Sequence, residues 1–303
     1  MDHPLYQQAY QLIESKHLGR IADQLKQALK PAIRMESSPV SGHPLPVGAS
    51  KLGGFPDLPP SLAWPTWKGV PMVFLAQIQL QEVALYDLEH RLPSHGFLFF
   101  FCQSQGLAQA PDTKVWENID SYEPDSWRVL FFAGNATELR PTTAPAGLAP
   151  EALLPSCSLH LGTTLMLPPI GGSVMRSLHL AKEERKQYHE LFTDFDAMFL
   201  GTADNVYHHH WLLGYPLSSY EDSELLCQMA SLQIPPSQWT QLDEGTKKAI
   251  ETDALEWVHL FAMDTDEYAQ VTWGEYGSLS YWIKRTDLSR HNFEACWATE
   301  FSL

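Results

Sequence analysis

Apolar residues in the opening segment fall on one helical face. Tyr6, Tyr10 and Ile13, then Leu18, Ile21, Leu25 and Leu29, recur at helical spacing until Pro31 interrupts them. The pattern predicts a helix over residues 5–30. AIRMESSPV, residues 32–40, alternates as a strand does. Three further runs read as strands, VPMVFLAQIQL (70–80), GFLFFFCQ (96–103) and WRVLFFAG (127–134). RPTTAPAGLAPEALLP (140–155) is rich in proline and alanine and reads as a junction. Beyond it, residues 177–201 and 219–232 mix charged and apolar positions as helices do, and strands return at LEWVHLFAM (255–263) and YGSLSYWIK (276–284). This is an α+β pattern with largely antiparallel sheets behind an N-terminal helical cap. It predicts one domain over residues 1–303: a cap at 1–31, a β-rich half at 32–140, and a second β-rich half at 156–303 with inserted helices.

The two halves share an order of signals. Gly54-Phe55-Pro56, then VFLAQIQL, then Gly96-Phe97-Leu98 appear in the first. Gly214-Tyr215-Pro216, then VHLFAMDTD, then Gly277-Ser278-Leu279 appear in the second. Internal duplication accounts for this order, and so does reuse of common turn chemistry.

The stretch SKLGGFPDLPPSLAWP from Ser50 concentrates glycine, proline and aromatic residues. Glycine permits unusual dihedrals and proline fixes φ, so a rigid loop packed on its own aromatic side chains is expected. A recognition surface is the other reading. With PMVFLAQIQL, with HWLLGYP (210–216), and with AMDTDEYAQVTWGEYGSLSYWIKRTDLSRHNFEACW, this stretch resembles the YwqG-like family, bacterial domains of unknown function. The resemblance implies a compact α+β domain in the cytoplasm, without an established reaction. Relatives found in toxin and immunity settings imply an inhibitor role. The chain departs from the family at Ala262-Met263-Asp264-Thr265-Asp266 and at Glu275.

The formal charge of −16 argues against phosphate backbones and anionic membranes as partners, because both are bound mainly through Lys and Arg. It suits a basic protein partner. Four scattered cysteines and the lack of a signal-like start are expected of a cytoplasmic protein with reduced thiols. No nucleotide-binding fingerprint or nucleophile elbow is present, and no cofactor is expected.

Two clusters carry candidate chemistry. In Tyr207-His208-His209-His210-Trp211, alternate histidines of a strand would share a face and Asp204 would add an oxygen ligand. A zinc site needs more converging ligands than these, so no metal is expected. Asp264, Asp266, Glu267 and Glu275 form an acidic group at a strand end, and Gln77 and Gln79 occupy the corresponding end of the earlier strand. If the halves face one another, amides and carboxylates would line a shared ligand-binding cleft. Two functions remain open on the sequence. One is a non-catalytic module that binds a protein partner. The other is a small-ligand binder or metal-dependent enzyme that uses a cleft between the halves.

Overall fold

Ten strands form one antiparallel sheet in the computed structural model of the chain: β1 (Lys30–Pro39), β2 (Lys51–Leu52), β3 (Val73–Gln79), β4 (Phe97–Cys102), β5 (Trp127–Phe132), β6 (Cys157–Met166), β7 (His209–Leu213), β8 (Trp257–Asp264), β9 (Ser278–Lys284) and β10 (Trp297–Phe301). Their order across the sheet is β5-β4-β3-β2-β6-β1-β7-β8-β9-β10. The structure describes residues 3–104, 107–110, 113–116, 123–200, 209–216, 222–274 and 277–301, with backbone alone at 107–110, 113–116, 209 and 301. Among these, no helix is long and apolar enough to cross a membrane.

The sheet curls until its outer strands meet, giving a nearly barrel-shaped α+β fold. The indole of Trp127 on β5 donates to the Cys296 carbonyl beside β10 at 2.9 Å, and its ring lies 5.0 Å from that of Trp297. The Tyr281 hydroxyl on β9 donates to the Phe101 carbonyl on β4 at 2.9 Å. Inside, Phe100 meets Phe261 and Tyr281 with ring centroids 4.4 and 5.2 Å apart. The space between the two outer groups of strands is therefore filled with apolar side chains, including Met35, Leu98 and Met263.

The strand β4, FLFFFC, is buried at every position. Its inward residues join this interior. Its outward residues Phe97, Phe99 and Phe101 lie beneath Leu58, Met72, Phe74 and Leu139. A strand covered on both faces shows a continuous apolar run rather than alternation.

Helices cover the outside of the other half. Pro4–Ser15, Ala22–Ala28 and Lys182–Phe195 bring Tyr6, Ile13, Leu25, Tyr188 and Phe195 onto the outer face around Trp211 and Ala262. The single helix expected over residues 5–30 is thus two helices. The chain turns at His17 (φ 57°), yet Leu18 and Ile21 stay buried on the same side, so the apolar spacing survives the break. The helix Glu244–Ala254 and the long strand β6 were not read from the sequence.

Two local geometries occur twice. The β3–β4 ladder shifts register between Phe74 and Ala76, and the β8–β9 ladder between His259 and Phe261. Leu52 of β2 pairs with Ala76, and Leu212 of β7 pairs with Phe261. Two consecutive positive-φ residues then follow each of these pairs, Gly53 and Gly54 (57° and 68°) after Leu52, and Leu213 and Gly214 (63° and 75°) after Leu212. A Cβ on Gly53 would lie 2.1 Å from the Pro155 carbonyl oxygen, so glycine is required there for room as well as for φ.

Candidate functional site

Gln77 and Gln79 hold the glycine- and proline-rich stretch in place. Gln77 faces the outer layer, since it pairs with Phe99. Its Oε1 accepts from the Asp57 backbone N–H at 2.7 Å, and its Nε2 donates to the Ala49 carbonyl and to Asp57 Oδ2, both at 3.0 Å. Asp57 Oδ2 also accepts from Lys51 Nζ at 2.9 Å and from the Gly48 N–H at 3.0 Å. All three side chains are buried. The Gln79 N–H donates to Ser50 Oγ at 2.9 Å, and with its amide turned the side chain donates to the Gly48 carbonyl and to Glu82.

Asp264 and Asp266 lie elsewhere. His210 pairs with Met35, which faces the interior. Its Nε2 donates to Asp266 Oδ2 at 2.9 Å, and its Nδ1 accepts from the Asp264 N–H at 3.1 Å, which places the ring proton on Nε2. Ser37 Oγ donates to the same Asp266 oxygen at 2.5 Å, and the Ala269 N–H donates to the other at 2.7 Å. Burial alone would raise the Asp266 carboxyl, but the hydrogen bonds from His210, Ser37 and Ala269 together hold it below the ordinary value. Burial, aided by the charge of Asp266 and opposed by the Thr265 N–H, pushes Asp264 up to about 7.

Gln77 and His210 thus face opposite sides of the sheet, and the structure does not bring the amides and carboxylates together in one cleft. Glu275, with Asp204 and His208, lies outside the described residues. Among the described residues, no group of three or more His, Cys, Asp or Glu is placed to hold a metal.

A pocket of about 270 Å³ opens at the other end of β1. Lys30 begins that strand. Tyr215 follows the Gly214 turn, Trp257 begins β8, Arg285 follows β9, Arg91 comes from the connection after β3, and Glu224 lies in the first turn of the helix Ser223–Ser231. The turn itself fits only glycine: at φ 75°, a Cβ on Gly214 would lie 2.5 Å from Met166 Sδ and 2.6 Å from Ala32 Cβ.

Lys30 Nζ sits 3.9 Å above the Tyr215 ring and 3.9 Å from Glu224 Oε1. The Tyr215 hydroxyl donates to the Ala28 carbonyl at 2.7 Å, and the Trp257 indole donates to Gln228 Oε1 at 2.8 Å, so both rings are fixed. Burial lowers the Lys30 ammonium against the attraction of Glu224, and the charges of Arg91 and Arg285 lower it further. Burial raises the Glu224 carboxyl in spite of Lys30.

A second cavity, of about 390 Å³, is bounded by Ile170, Met175, Arg176, His179, Arg185 and Tyr188 among others. There the Arg176 guanidinium is already held by Asp222 and by the Gly171 carbonyl. The Lys30 pocket is the better candidate, because Glu224 is nearly buried, Lys30 and Arg91 are partly so, and none of its cations comes closer than 3.7 Å to a carboxylate of the described residues. No sequence signal marks it: Lys30 looked like a helix end, and Tyr215 like part of a turn.

The family described as domain of unknown function (DUF1963) matches residues 50–300. No curated protein matches the chain.

Proposed function

The chain belongs to the DUF1963 family, and from that premise we propose that it is a small-ligand-binding protein whose site is the Lys30 pocket. The observation that carries this reading is the Lys30–Glu224 pair, held 3.9 Å apart with Lys30 Nζ also 3.9 Å from the centre of the fixed Tyr215 ring. Holding two partly buried opposite charges (34% and 11% exposed) short of close contact adds little to folding alone. A concave, mostly apolar pocket with a few convergent polar groups is the usual form of a small-molecule site.

The test is native mass spectrometry after incubation with a metabolite extract. The wild-type protein should retain a small molecule that a Val174→Trp variant, with the pocket filled, does not retain. Absence of any retained mass, or equal retention by both proteins, would overturn the reading.

Within the same proposal, the YwqG-like family names the closer kinship, and the two groups of strands descend from one duplicated unit. The repeated register shift and the repeated positive-φ turn support that descent. On this reading the pocket belongs to one copy only. Tyr215 lines it, whereas Phe55, at the matching turn, is 44% exposed. That exposure favours a second reading, a docking face for a protein partner around Phe55. Phe55→Ser should abolish capture of such a partner without changing ligand retention.

A further inference from the structure

The three cations of the Lys30 pocket each meet a carboxylate only at the outer limit of an ion pair. Lys30 is 3.9 Å from Glu224, Arg91 is 3.7 Å from Glu89, and Arg285 is 4.0 Å from Glu256. Elsewhere, Arg20 meets Glu184 at 2.7 Å, Lys51 meets Asp57 at 2.9 Å and Arg34 meets Glu36 at 2.9 Å. The residues bounding the pocket include Lys30, Arg91 and Arg285 with Glu89 and Glu224, while Glu256, the acid nearest Arg285, lies outside the lining. Three cations at one pocket stand out on a chain whose formal charge is −16.

Like charges gathered in a partly dehydrated pocket repel one another, and an anion placed among them would relieve the repulsion. Guanidinium groups match carboxylate and phosphate oxygens in a fork that a halide cannot use. The remaining walls are mixed: Trp257, Leu29, Val258 and Leu255 are apolar, and Gln27 and Ser173 are polar. A cavity of roughly 150 Å³ accommodates benzene. The 270 Å³ here leaves room for one ring or a short chain together with a charged head.

We propose that the pocket takes a small organic oxyanion, a carboxylate or phosphate on an apolar body, with its charged head among Lys30, Arg91 and Arg285. The proposal rests on the ligand-binding reading above and goes further by giving the ligand a charge and a shape.

Calorimetric titration tests it with four probes: benzoate, phenyl phosphate, inorganic phosphate and phenethylammonium. The proteins are wild type, Lys30→Met, Lys30→Arg, Arg285→Met and Val174→Trp. Benzoate or phenyl phosphate should bind the wild type with a Kd below about 1 mM. The stronger of the two identifies the head as carboxylate or phosphate. Inorganic phosphate, lacking the body, should bind more weakly. Lys30→Met and Arg285→Met should each weaken binding about tenfold or more, a loss of about 1.4 kcal/mol. Lys30→Arg should retain binding, and that retention separates loss of charge from loss of fold.

Phenethylammonium binding as tightly as benzoate, and lost in Val174→Trp, would overturn the anionic assignment while leaving a ligand-binding pocket. Equal binding of benzoate by wild type and Lys30→Met would also overturn it. Failure of every probe, with no mass retained from the extract, would remove both proposals.

Discussion

Replacing Lys51 with methionine isolates the charge that holds the glycine- and proline-rich stretch onto the sheet. Lys51 and Asp57 side chains are 9% and 4% exposed, with Nζ and Oδ2 2.9 Å apart. Methionine keeps most of the volume and removes the charge, leaving the Asp57 carboxylate with only the Gly48 N–H and the Gln77 amide. Removing one partner of a buried ion pair costs about 3–5 kcal/mol. At the usual unfolding entropy per residue, a chain of this length loses about 1.6 °C per kcal/mol, so the melting temperature should fall by about 5–8 °C. Urea denaturation at pH 7 and scanning fluorimetry both measure the loss. Lys51→Met/Asp57→Asn supplies the control, because asparagine accepts the same two hydrogen bonds without a stranded charge. The double variant should recover about half the loss or more. A Lys51→Met protein within about 1 kcal/mol of wild type, or a double variant no more stable than the single one, would refute the reasoning.

Gly53→Ala should cost about 2–5 kcal/mol, the sum of left-handed strain and overpacking against Pro155. Gly19→Ala, which meets nothing within 4 Å, should stay within about 0.5 kcal/mol of wild type in the same urea assay. Burial lowers the His259 imidazole from 6.5 to about 4, with Lys30 adding and the hydrogen bond to the Leu213 carbonyl opposing. Below pH 6.5 the unfolded chain gains a proton there that the folded chain refuses, so the His259 contribution to stability falls by about 3 kcal/mol between pH 6.5 and 4, against the opposite contribution of Asp264 over the same range. His259→Phe should remove that part of the slope, and an unchanged slope in denaturation over this range would refute the assignment. All four cysteines are buried, and burial pushes the Cys157 thiol up to about 12. A thiol reagent at pH 8 should therefore leave the native protein unmodified for minutes and titrate four thiols after denaturation; rapid native labelling would contradict this burial.

Much of the sheet was legible because its strands announce themselves by composition. FLFFFC and VFLAQIQ are apolar beyond what one buried face needs, and both lie between two layers. The N-terminal helix was read too long, because a turn at His17 that keeps Leu18 and Ile21 on one side imitates helical spacing. Gln77 drew notice as a polar residue in an apolar strand. Its role depends on Asp57, 20 residues earlier in the chain, and spacing does not record that contact. The Lys30 pocket was illegible for the same reason on a larger scale. Lys30, Arg91, Tyr215, Glu224 and Arg285 come from five separate segments and converge only once the sheet has curled.

The position of β1 also sets a timetable for synthesis. It is among the first strands to leave the ribosome, yet both its neighbours come late: Lys30 pairs with Met166, and Ala32 pairs with Leu213. At ordinary rates of about 5–20 residues per second, the segment waits on the order of 10–35 s before its second partner exists. During that wait a long strand with two open edges is exposed to other chains. The outer strands β3, β4 and β5 can pair as they emerge. One rim of the sheet therefore forms first, its centre is sealed when Leu213 arrives, and the opposite rim of β8, β9 and β10 is added last.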